Sequence, residues 1–560
     1  MSNLIPSSSS STLNEKDSYD KDCHGNSKDS KSSIVRDSYA INEPSPDQEL
    51  EAYREQIREQ LPPGVLATKT LSIQPYPSHH TDLEAVASRM LSRHSHKQEV
   101  VRYVNWEEND PECPYNWNAS FRWAYTIVVA GLVVSAAFGS SVITGHMYGV
   151  VDSFGCTQEV AILQVSLMVF GFMIGPLLWS PLSEIYGRKP IYVVALGLYT
   201  IFNIPCAVAR NIETVLVCRF FSGFFASVAL TLAGGSISDL FPTETRGNAI
   251  AYFAAAPYAG PVLGPIVGGW INVGTGNWRW IYWVNMIFAG VIWIIICFLP
   301  ETYHPKLLAE RAKKLRKETG DPSYVTVEEE IPISFSEIVQ TNLIRPFLML
   351  ATEPILLLMS LYVAIIYALL YAFFFAYPIV FGEVHHMNDG EIGLTFIGIL
   401  IGAAIALLVT PRFESVYLRT IEKRGRPLPE DRLPGMMFAA PWVPISLFIF
   451  AWTSFPWCHW IGPTISGIPF GFGMVLLYYA ANNYIIDCFP RYVTSALAAK
   501  TLVRSGSGAA FPLFINQMYH GLGNQWASTL LAFISLAIVP IPFFFYKWGA
   551  SIRAKSKSAS

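Results

Sequence analysis

The sequence predicts an all-α membrane protein in which twelve helices cross the bilayer as two sets of six. The chain has 560 residues, of which 52% are hydrophobic and only 14% are charged, and its mean hydropathy is +0.33. Soluble domains carry about 25% charged residues, so this balance excludes an ordinary soluble protein. Apolar runs recur from Trp123 to near the C-terminus, and Lys and Arg gather in alternate connections between them.

Residues 1–120 are expected to form a disordered cytosolic tail. This segment holds a serine run from Ser7 to Ser11 and is dense in Ser, Asp and Lys. Such a composition cannot bury enough apolar surface to offset the entropy lost on folding. A cleavable signal peptide is not expected, because the first apolar run begins only after this tail.

Apolar runs long enough to cross a hydrocarbon core of about 30 Å predict the spans. They lie near residues 123–144, 160–180, 191–209, 212–238, 248–271, 279–299, 352–380, 392–411, 436–455, 459–486, 494–518 and 526–546. Gly and Pro inside these runs are compatible with helix, because membrane helices tolerate both. We expect a first half at 121–300, a cytosolic loop at 301–346, a second half at 347–547 and a cytosolic C-terminal tail at 548–560.

The distribution of Lys and Arg predicts the orientation, since these residues are retained on the cytosolic side. With the N-terminus inside, the cytosolic connections hold Arg188, Lys189, Arg246, Lys306, Arg311, Lys313, Lys314, Arg316, Lys317, Arg345, Arg412, Arg419, Lys423, Arg424, Arg426, Arg432 and Arg491. The outer connections hold only Arg210 and Arg279. Both termini are therefore expected in the cytosol.

A short internal repeat supports the division into two halves. Span four ends in D-L-F-P at residues 239–242, and span ten ends in D-C-F-P at residues 487–490. The two segments occupy the same place in their halves, at the cytosolic exit of the fourth helix. Two six-helix halves related by a parallel repeat are the architecture of the major facilitator transporters.

The connection after span two carries the first functional motif, S-P-L-S-E-I-Y-G-R-K-P at residues 180–190. Gly187 permits a tight turn there. The segment resembles the major facilitator signature G-x-L-[SA]-D-R-x-G-R-[KR], with Ser180 in place of the first glycine and Ile185 in place of the first arginine.

This resemblance implies a conformational latch made of Glu184, Gly187, Arg188 and Asp239. Glu184 would cap the start of span eleven, because a helix N-terminus attracts a carboxylate. Arg188 would pair with Asp239 at the end of span four. The alternative is a basic loop that only fixes the topology.

Arg219 lies inside span four, in the segment R-F-F-S-G. A charge at membrane depth is costly and usually functional. The segment resembles the arginine motif of span four in the same family, which implies that Arg219 takes part in proton coupling. The alternative is a side chain that reaches back to the outer interface, since span four begins nearby.

Span five holds the segment G-P-V-L-G-P-I-V-G-G at residues 260–269. Its spacing of small residues lets another helix approach closely, and its prolines remove backbone donors and bend the helix. The segment resembles the antiporter motif G-P-x-x-G-[GP], which implies an exporter. The motif residues are Gly260, Pro261, Gly264, Pro265, Gly268 and Gly269.

Span eight offers a matching stripe at Gly398, Gly402 and Ala406. We expect this stripe to meet Gly260, Gly264 and Gly268 where the two halves touch. The alternative is ordinary tight packing that has no bearing on the direction of transport.

A substrate pocket is expected between the halves. The candidate lining residues are Tyr367, Tyr371, Tyr478, Tyr479, Asn482 and Asn483. Aromatic rings with a few amides suit varied, partly apolar or cationic ligands. Packing against lipid explains many aromatic residues equally well.

Three further charged residues lie in or beside the spans. Glu353 is expected either to carry a proton or attract a cation, or else to cap the helix that starts at Pro354. Lys500 and Arg504 share one face of span eleven, and anchoring at the interface is the favoured interpretation for both.

Further segments are similar to the fungal twelve-span drug:proton antiporters, which include yeast multidrug and polyamine exporters. They are P-E-T-Y-H-P at 300–305, L-R-K-E-T-G-D at 315–321 and N-Y-I-I-D at 483–487. The resemblance covers roughly residues 100–553. It implies a proton-coupled efflux transporter of the plasma membrane, with the vacuolar membrane as a lesser alternative. Its substrates would be small organic molecules such as drugs, toxins, polyamines or secondary metabolites, and it would work as a monomer.

Other classes of protein fit less well. A nutrient or sugar symporter of the same fold is the main alternative, and the motif of span five argues against it. A receptor would need a signalling domain, and an ATP-driven pump would need a G-x-x-x-x-G-K-[ST] loop. The eight cysteines form no C-x-x-C pair, so no metal site or disulfide framework is expected. No enzyme activity, cofactor or nucleic-acid partner is expected, and the net charge is only -3.

Overall fold

The computed structural model describes residues 102–556, except 108, 243–244, 247–248, 251–252, 254, 327–328, 330–339 and 426–427. Residues 1–101 of the tail predicted at 1–120, and the last residues, 557–560, lie outside the described part.

The first half contains six long helices, which we call spans one to six. They are Ala119–Ser141, Gln158–Tyr186, Arg188–Val208, Ile212–Leu240, Ala256–Thr275 and Arg279–Phe298. A 3-10 turn at Val142–His146 and a short helix at Met147–Phe154 continue span one. The predicted start of span five, before Ala256, includes residues 248, 251–252 and 254, which are not described.

The second half repeats this arrangement with more interruptions. Spans seven to twelve are Pro354–Tyr377, Ile397–Arg424, Leu433–Ala439 with Trp442–Thr453, Ile461–Cys488, Val493–Ala510 with Pro512–Leu522, and Asn524–Ile538 with Pro540–Arg553. Arg345–Thr352 precedes span seven, a π turn at Pro378–Val384 follows it, and Asp389–Thr395 precedes span eight. Pro512 and Pro540 restart their spans, because proline lacks an N–H but fits the first helical turn.

Ten of the described helical segments are long and apolar enough to cross a membrane. Spans five and eleven are not among these ten. Their sequences explain this, because span five is rich in Gly and Pro, and span eleven is rich in Ala, Ser and Gly and holds Lys500 and Arg504. Both pack against other spans: span five lies on span one and beside span eight, and span eleven lies on spans two and seven.

The segment just before span one is part of the structure, so the disorder expected up to residue 120 is wrong for the described residues from 102 onward. Arg102–Tyr103 pairs in parallel with Tyr324–Val325. Trp106 donates from its indole nitrogen to Nδ1 of His304 over 3.1 Å, and Asp110 binds Arg311. These anchors hold the segment on the helix His304–Thr319, which follows span six. A few aromatic and charged contacts thus outweigh the polar average composition.

Candidate functional site

A cluster of buried and half-buried polar side chains lies between the two halves. Its members come from spans one, five, seven, ten and eleven, and we call it the central cluster. They are Ser140, Tyr258, Tyr367, Tyr371, Tyr478, Asn482, Lys500 and Arg504.

A chain of hydroxyl groups crosses from the first half to the second within the central cluster. The Ser140 hydroxyl lies 2.8 Å from the Tyr371 hydroxyl. The Tyr371 hydroxyl in turn lies 3.4 Å from that of Tyr367, one helical turn earlier. Tyr258 of span five places its ring 5.0 Å from the ring of Tyr478 and 6.5 Å from that of Tyr367.

Lys500 and Arg504 are buried in this cluster, with only 3% and 2% of their surfaces exposed. Lys500 donates to the amide oxygen of Asn482, and its ammonium lies 4.8 Å from the centre of the Tyr478 ring. Arg504 donates to the Tyr478 hydroxyl over 3.3 Å and lies 4.6 Å from the Tyr367 ring. The interpretation that both anchor the helix at an interface is therefore wrong.

The pocket residues predicted on span ten separate into two groups. Tyr478 and Asn482 belong to the central cluster, as do Tyr367 and Tyr371 of span seven. Tyr479 instead donates to a carboxylate oxygen of Glu414 over 2.5 Å, and Asn483 interacts with Tyr479. Neighbouring positions of a helix point about 100° apart, so both pairs cannot face the same site.

Arg219 is completely buried, so the alternative of a side chain reaching for the interface is wrong. Its guanidinium donates to the carbonyl oxygens of Gly139 at 2.8 Å, Gln164 at 3.1 Å and Ser140 at 3.2 Å. The Ser140 hydroxyl contacts Tyr371. Arg219 thus contacts the central cluster through the backbone carbonyl of Ser140. Its role in proton coupling stays a prediction.

Glu353 occupies the N-cap position of span seven, after the helix Arg345–Thr352, but its side chain makes no capping hydrogen bond. It is 3% exposed, and its carboxylate accepts a hydrogen bond of 2.5 Å from Ser556 near the C-terminus. None of its described contacts reaches the central cluster. The structure thus does not bring Glu353 and Arg219, the two predicted coupling residues, together.

The latch residues meet at the end of the bundle that carries the Lys- and Arg-rich connections, which we call the basic end. Arg188 lies 3.3 Å from the carboxylate of Asp239 and donates to the Ser183 hydroxyl over 2.8 Å. The negative charge of Glu184 also acts on Arg188. Gly187 has a φ of +89°, which only glycine adopts readily. The predicted contact of Glu184 with the start of span eleven stays a prediction.

Sequence reasoning missed two residues that bind the latch from the connection after span six. The Glu301 carboxylate accepts hydrogen bonds from the backbone N–H groups of Arg188 and Lys189, at 3.0 and 3.2 Å. His304 bonds through Nε2 to the carbonyl oxygen of Asp239 over 2.8 Å. Because Nδ1 of His304 accepts from Trp106, its Nε2 must carry the proton.

The second half contains a matching charge network that was not predicted. Arg432 lies 3.0 Å from Asp487 and 2.7 Å from Glu414, and its guanidinium lies 3.4 Å from the ring centre of Tyr417. The signal was present in the sequence, because P-x-x-E occurs at the ends of both second helices, at 181–184 and 411–414.

The glycine stripe of span five packs against span one, so the predicted pairing with the stripe of span eight is wrong. A Cβ atom at Gly260 would lie 2.6 Å from the carbonyl oxygen of Val134, and one at Gly264 would collide with Ser141. Gly398 and Gly402 of span eight face the backbone of span ten. Each stripe therefore joins helices within its own half.

The last glycine of the motif does reach the other half. Gly269 touches the backbone of Asp389 so closely that a Cβ atom there would collide with its carbonyl oxygen. The Asp389 carboxylate lies 3.2 Å from Nδ1 of His146 and accepts a 2.7 Å hydrogen bond from Asn272. We call His146, Asn272 and Asp389 the gate contact, and it joins the halves at the end opposite the basic end.

A second link at the same end joins spans two and eleven. Gln158 accepts a 2.7 Å hydrogen bond from Asn516, and Glu159 accepts one of 3.1 Å from Gln517. The two halves are thus held together at this end along both of their contacting sides.

Comparison with known proteins identifies the family. The sequence model of the Major Facilitator Superfamily matches residues 128–512. The chain belongs to this family. It is therefore a multi-pass transporter that lies in the lipid bilayer and acts on small molecules, and the family is not one of enzymes. The predicted fold, two six-helix halves, is confirmed.

Individual relatives are similar over most of the chain. Multidrug transporter TPO3 of Candida glabrata is 52% identical over 474 residues, which are 85% of this chain and 75% of that protein. Polyamine transporter 3 of Saccharomyces cerevisiae is 51% identical over 455 residues, or 81% of this chain and 73% of that protein. The solved proton:xylose symporter XylE of E. coli matches with a TM-score of 0.53 at 16% identity, over 77% of this chain and 96% of that one, which indicates the fold alone.

Proposed function

We propose that this transporter exports small organic molecules from the cytosol in exchange for protons. The names of its relatives, multidrug transporter and polyamine transporter, support efflux, as does the G-P-x-x-G-[GP] segment of span five. The observation that carries the proposal is the central cluster, in which buried cations and tyrosines from both halves meet.

Alternation between two states follows from where the halves touch. Contacts that exist in only one state set the balance between the states. The gate contact crosses between the halves, so it must break whenever that end opens. The latch lies at the opposite, basic end, which we assign to the cytosol together with both termini. A substrate would then enter past the latch and leave past the gate contact.

Arg219 is the residue that we propose for coupling. Three backbone carbonyl groups already satisfy its charge, so it does not need an acidic partner. Two of these carbonyls belong to Gly139 and Ser140, and the Ser140 hydroxyl bonds to Tyr371 of the second half. A shift of Arg219 would therefore move Ser140 and change the contact between the halves. Glu353 stays a candidate for a separate proton site at the basic end.

The same proposal covers the organisation of the chain in the cell. We assign the protein to the plasma membrane, as a monomer whose halves at residues 121–300 and 347–547 are joined by the cytosolic loop at 301–346. The C-terminal tail was expected from residue 548, but the helix Pro540–Arg553 runs through the start of that range, so we assign to the cytosol the tail that follows Arg553.

Export measured with and without a proton gradient, at a constant ATP concentration, tests this proposal. Cells loaded with a substrate dye should lose it quickly when the transporter is expressed, and a protonophore should stop the loss while ATP is held constant. The variant Arg219→Lys keeps the charge but cannot bind three carbonyl groups in the same fork geometry, so it should lose proton-driven export. Export that persists without a proton gradient, or dye uptake in place of loss, would refute antiport.

A further inference from the structure

We propose that the central cluster binds an organic anion, whose negative group is held by Lys500 and Arg504. The inference rests on the proposed export function and names the class of substrate. It follows from the charges of the cluster and from the partners that those charges have.

Two cations lie side by side at this place. Lys500 and Arg504 are one helical turn apart on span eleven, and both are almost completely buried. Burying a cation is costly unless an anion or several hydrogen-bond acceptors compensate it, and buried like charges also repel. Ionisable groups at such positions in membrane proteins usually mark the path of a substrate or an ion.

The partners of these cations are neutral. Lys500 binds the amide oxygen of Asn482, and Arg504 binds the hydroxyl of Tyr478. Among the described residues, neither has an ion pair with Asp or Glu. The strongest electrostatic neighbours of Arg504 are tyrosines, and its Nε has no hydrogen-bond acceptor in the described part of the chain. The cluster therefore lacks an anion, and it has donors that could hold one.

The same geometry disfavours a cationic ligand, which the pocket was expected to suit. Cation–π attraction requires an open aromatic face. Arg504 already lies over the ring of Tyr367, and Lys500 over that of Tyr478. A third cation, Arg219, contacts the backbone of Ser140 nearby. An incoming cation would meet positive charge, whereas an anion would be attracted.

The rings describe the rest of the ligand. The guanidinium of Arg504 lies 4.6 Å from the ring centre of Tyr367 and 5.7 Å from that of Tyr478. The ring of Tyr258 packs beside both, 6.5 and 5.0 Å away between ring centres. Such a frame suits a flat aromatic or unsaturated body beside the negative group. The class is thus an aromatic or amphipathic organic acid, with a carboxylate, sulfonate or acidic phenol.

Binding of two matched probes tests the proposal directly. Benzenesulfonate is an anion at every usable pH, and phenyltrimethylammonium is a cation of similar shape. Titration calorimetry on the full chain in lipid nanodiscs should show that the anion binds at least about tenfold more tightly. Lys500→Gln and Arg504→Gln should each weaken the anion by about tenfold or more, because each removes a charge-assisted hydrogen bond.

Control variants separate this role from folding. Lys547→Gln removes an exposed lysine whose ammonium lies 4.8 Å from the Trp548 ring, the same ring distance as for Lys500 and Tyr478. It should leave anion binding unchanged. Arg504→Lys keeps the charge and should retain more anion binding than Arg504→Gln. Equal loss in these two variants would show that Arg504 acts by packing, and the proposal would fail.

The outcomes also separate this inference from the proposed function. Tighter binding of phenyltrimethylammonium, or anion binding that ignores both Gln variants, would overturn the anion site and leave proton-driven export intact. Anion binding that depends on Lys500 and Arg504, together with export that ignores the proton gradient, would support the site and refute the antiport.

Discussion

Adding one methyl group at Gly269 should prevent the gate contact from closing. The Cβ atom of Gly269→Ala would collide with the backbone carbonyl oxygen of Asp389 and lie 3.1 Å from the Cα of Gly390. Both obstacles are backbone atoms of the other half, so neither can turn away as a side chain could. The strain is relieved only when the halves separate at this end.

The size of the effect follows from this geometry. Overpacking of a tight contact costs about 1–3 kcal/mol. Because the open state does not pay this cost, the equilibrium should shift toward it by about 5- to 150-fold. We expect export to fall by a comparable factor while the amount of folded protein stays the same.

Labelling of an introduced cysteine measures this shift. Thr144 lines the cleft beside the gate contact, so Thr144→Cys in a background without the native cysteines should react faster with an impermeant maleimide when Gly269→Ala is present. Gly274→Ala, in the same helix, is the matched control, because a Cβ atom there meets no atom within 4 Å. Gly268→Ala meets Val142 of the same half and should lower stability without changing labelling. Unchanged labelling and normal export in Gly269→Ala would refute the reasoning.

Two further predictions concern the basic end. Arg188→Ala should lose export by favouring the state open to the cytosol, and the reversal Arg188→Asp with Asp239→Arg should restore part of it; unchanged export in Arg188→Ala would reduce the latch to a topology signal. Burial lowers the pKa of His304 from 6.5 to about 4. The His304 ring is therefore neutral while Trp106 contacts it, and it binds a proton more readily once that contact is broken. Docking of residues 102–118 should be complete above about pH 6.5 and weaken as the pH falls toward about 4. Protease cleavage within this segment should therefore increase at low pH in the natural chain but not in His304→Gln, and equal cleavage across this range would contradict the assignment.

The sequence predicted the positions of the helices well because the length of an apolar run is set by the thickness of the bilayer. The pairing of Arg188 with Asp239 was implied by the resemblance of residues 180–190 to the major facilitator signature, and the structure places the two side chains 3.3 Å apart. The rotation of each helix about its own axis was harder to predict. The sequence put Tyr478, Tyr479, Asn482 and Asn483 in one pocket, but only packing decides which of the two pairs faces the centre.

The partners of small-residue stripes were also beyond the sequence. A row of glycines predicts a close helix contact but does not show which helix makes it. The stripe of span five packs against span one. Burial of Lys500 and Arg504 was missed for a related reason. The spacing of the two residues gives a shared face, whereas the direction of that face depends on how spans seven, ten and eleven pack together.

The two halves repeat their charges at the basic end but differ in the centre. Asp239 with Arg188 and Asp487 with Arg432 occupy matching places. In the centre, the first half provides Arg219, and each of its three guanidinium nitrogens donates to a backbone carbonyl oxygen. Arg219 therefore holds the backbone in place rather than binding a ligand.

The second half provides cations with neutral partners, and the hydrogen bond between Ser140 and Tyr371 joins the two arrangements. An anion that draws Arg504 away from the ring of Tyr367 would disturb the hydroxyl contact of Tyr367 with Tyr371, and through it the bond to Ser140. Substrate charge in one half would thereby change the backbone that Arg219 holds in the other, which is the physical link that coupling requires.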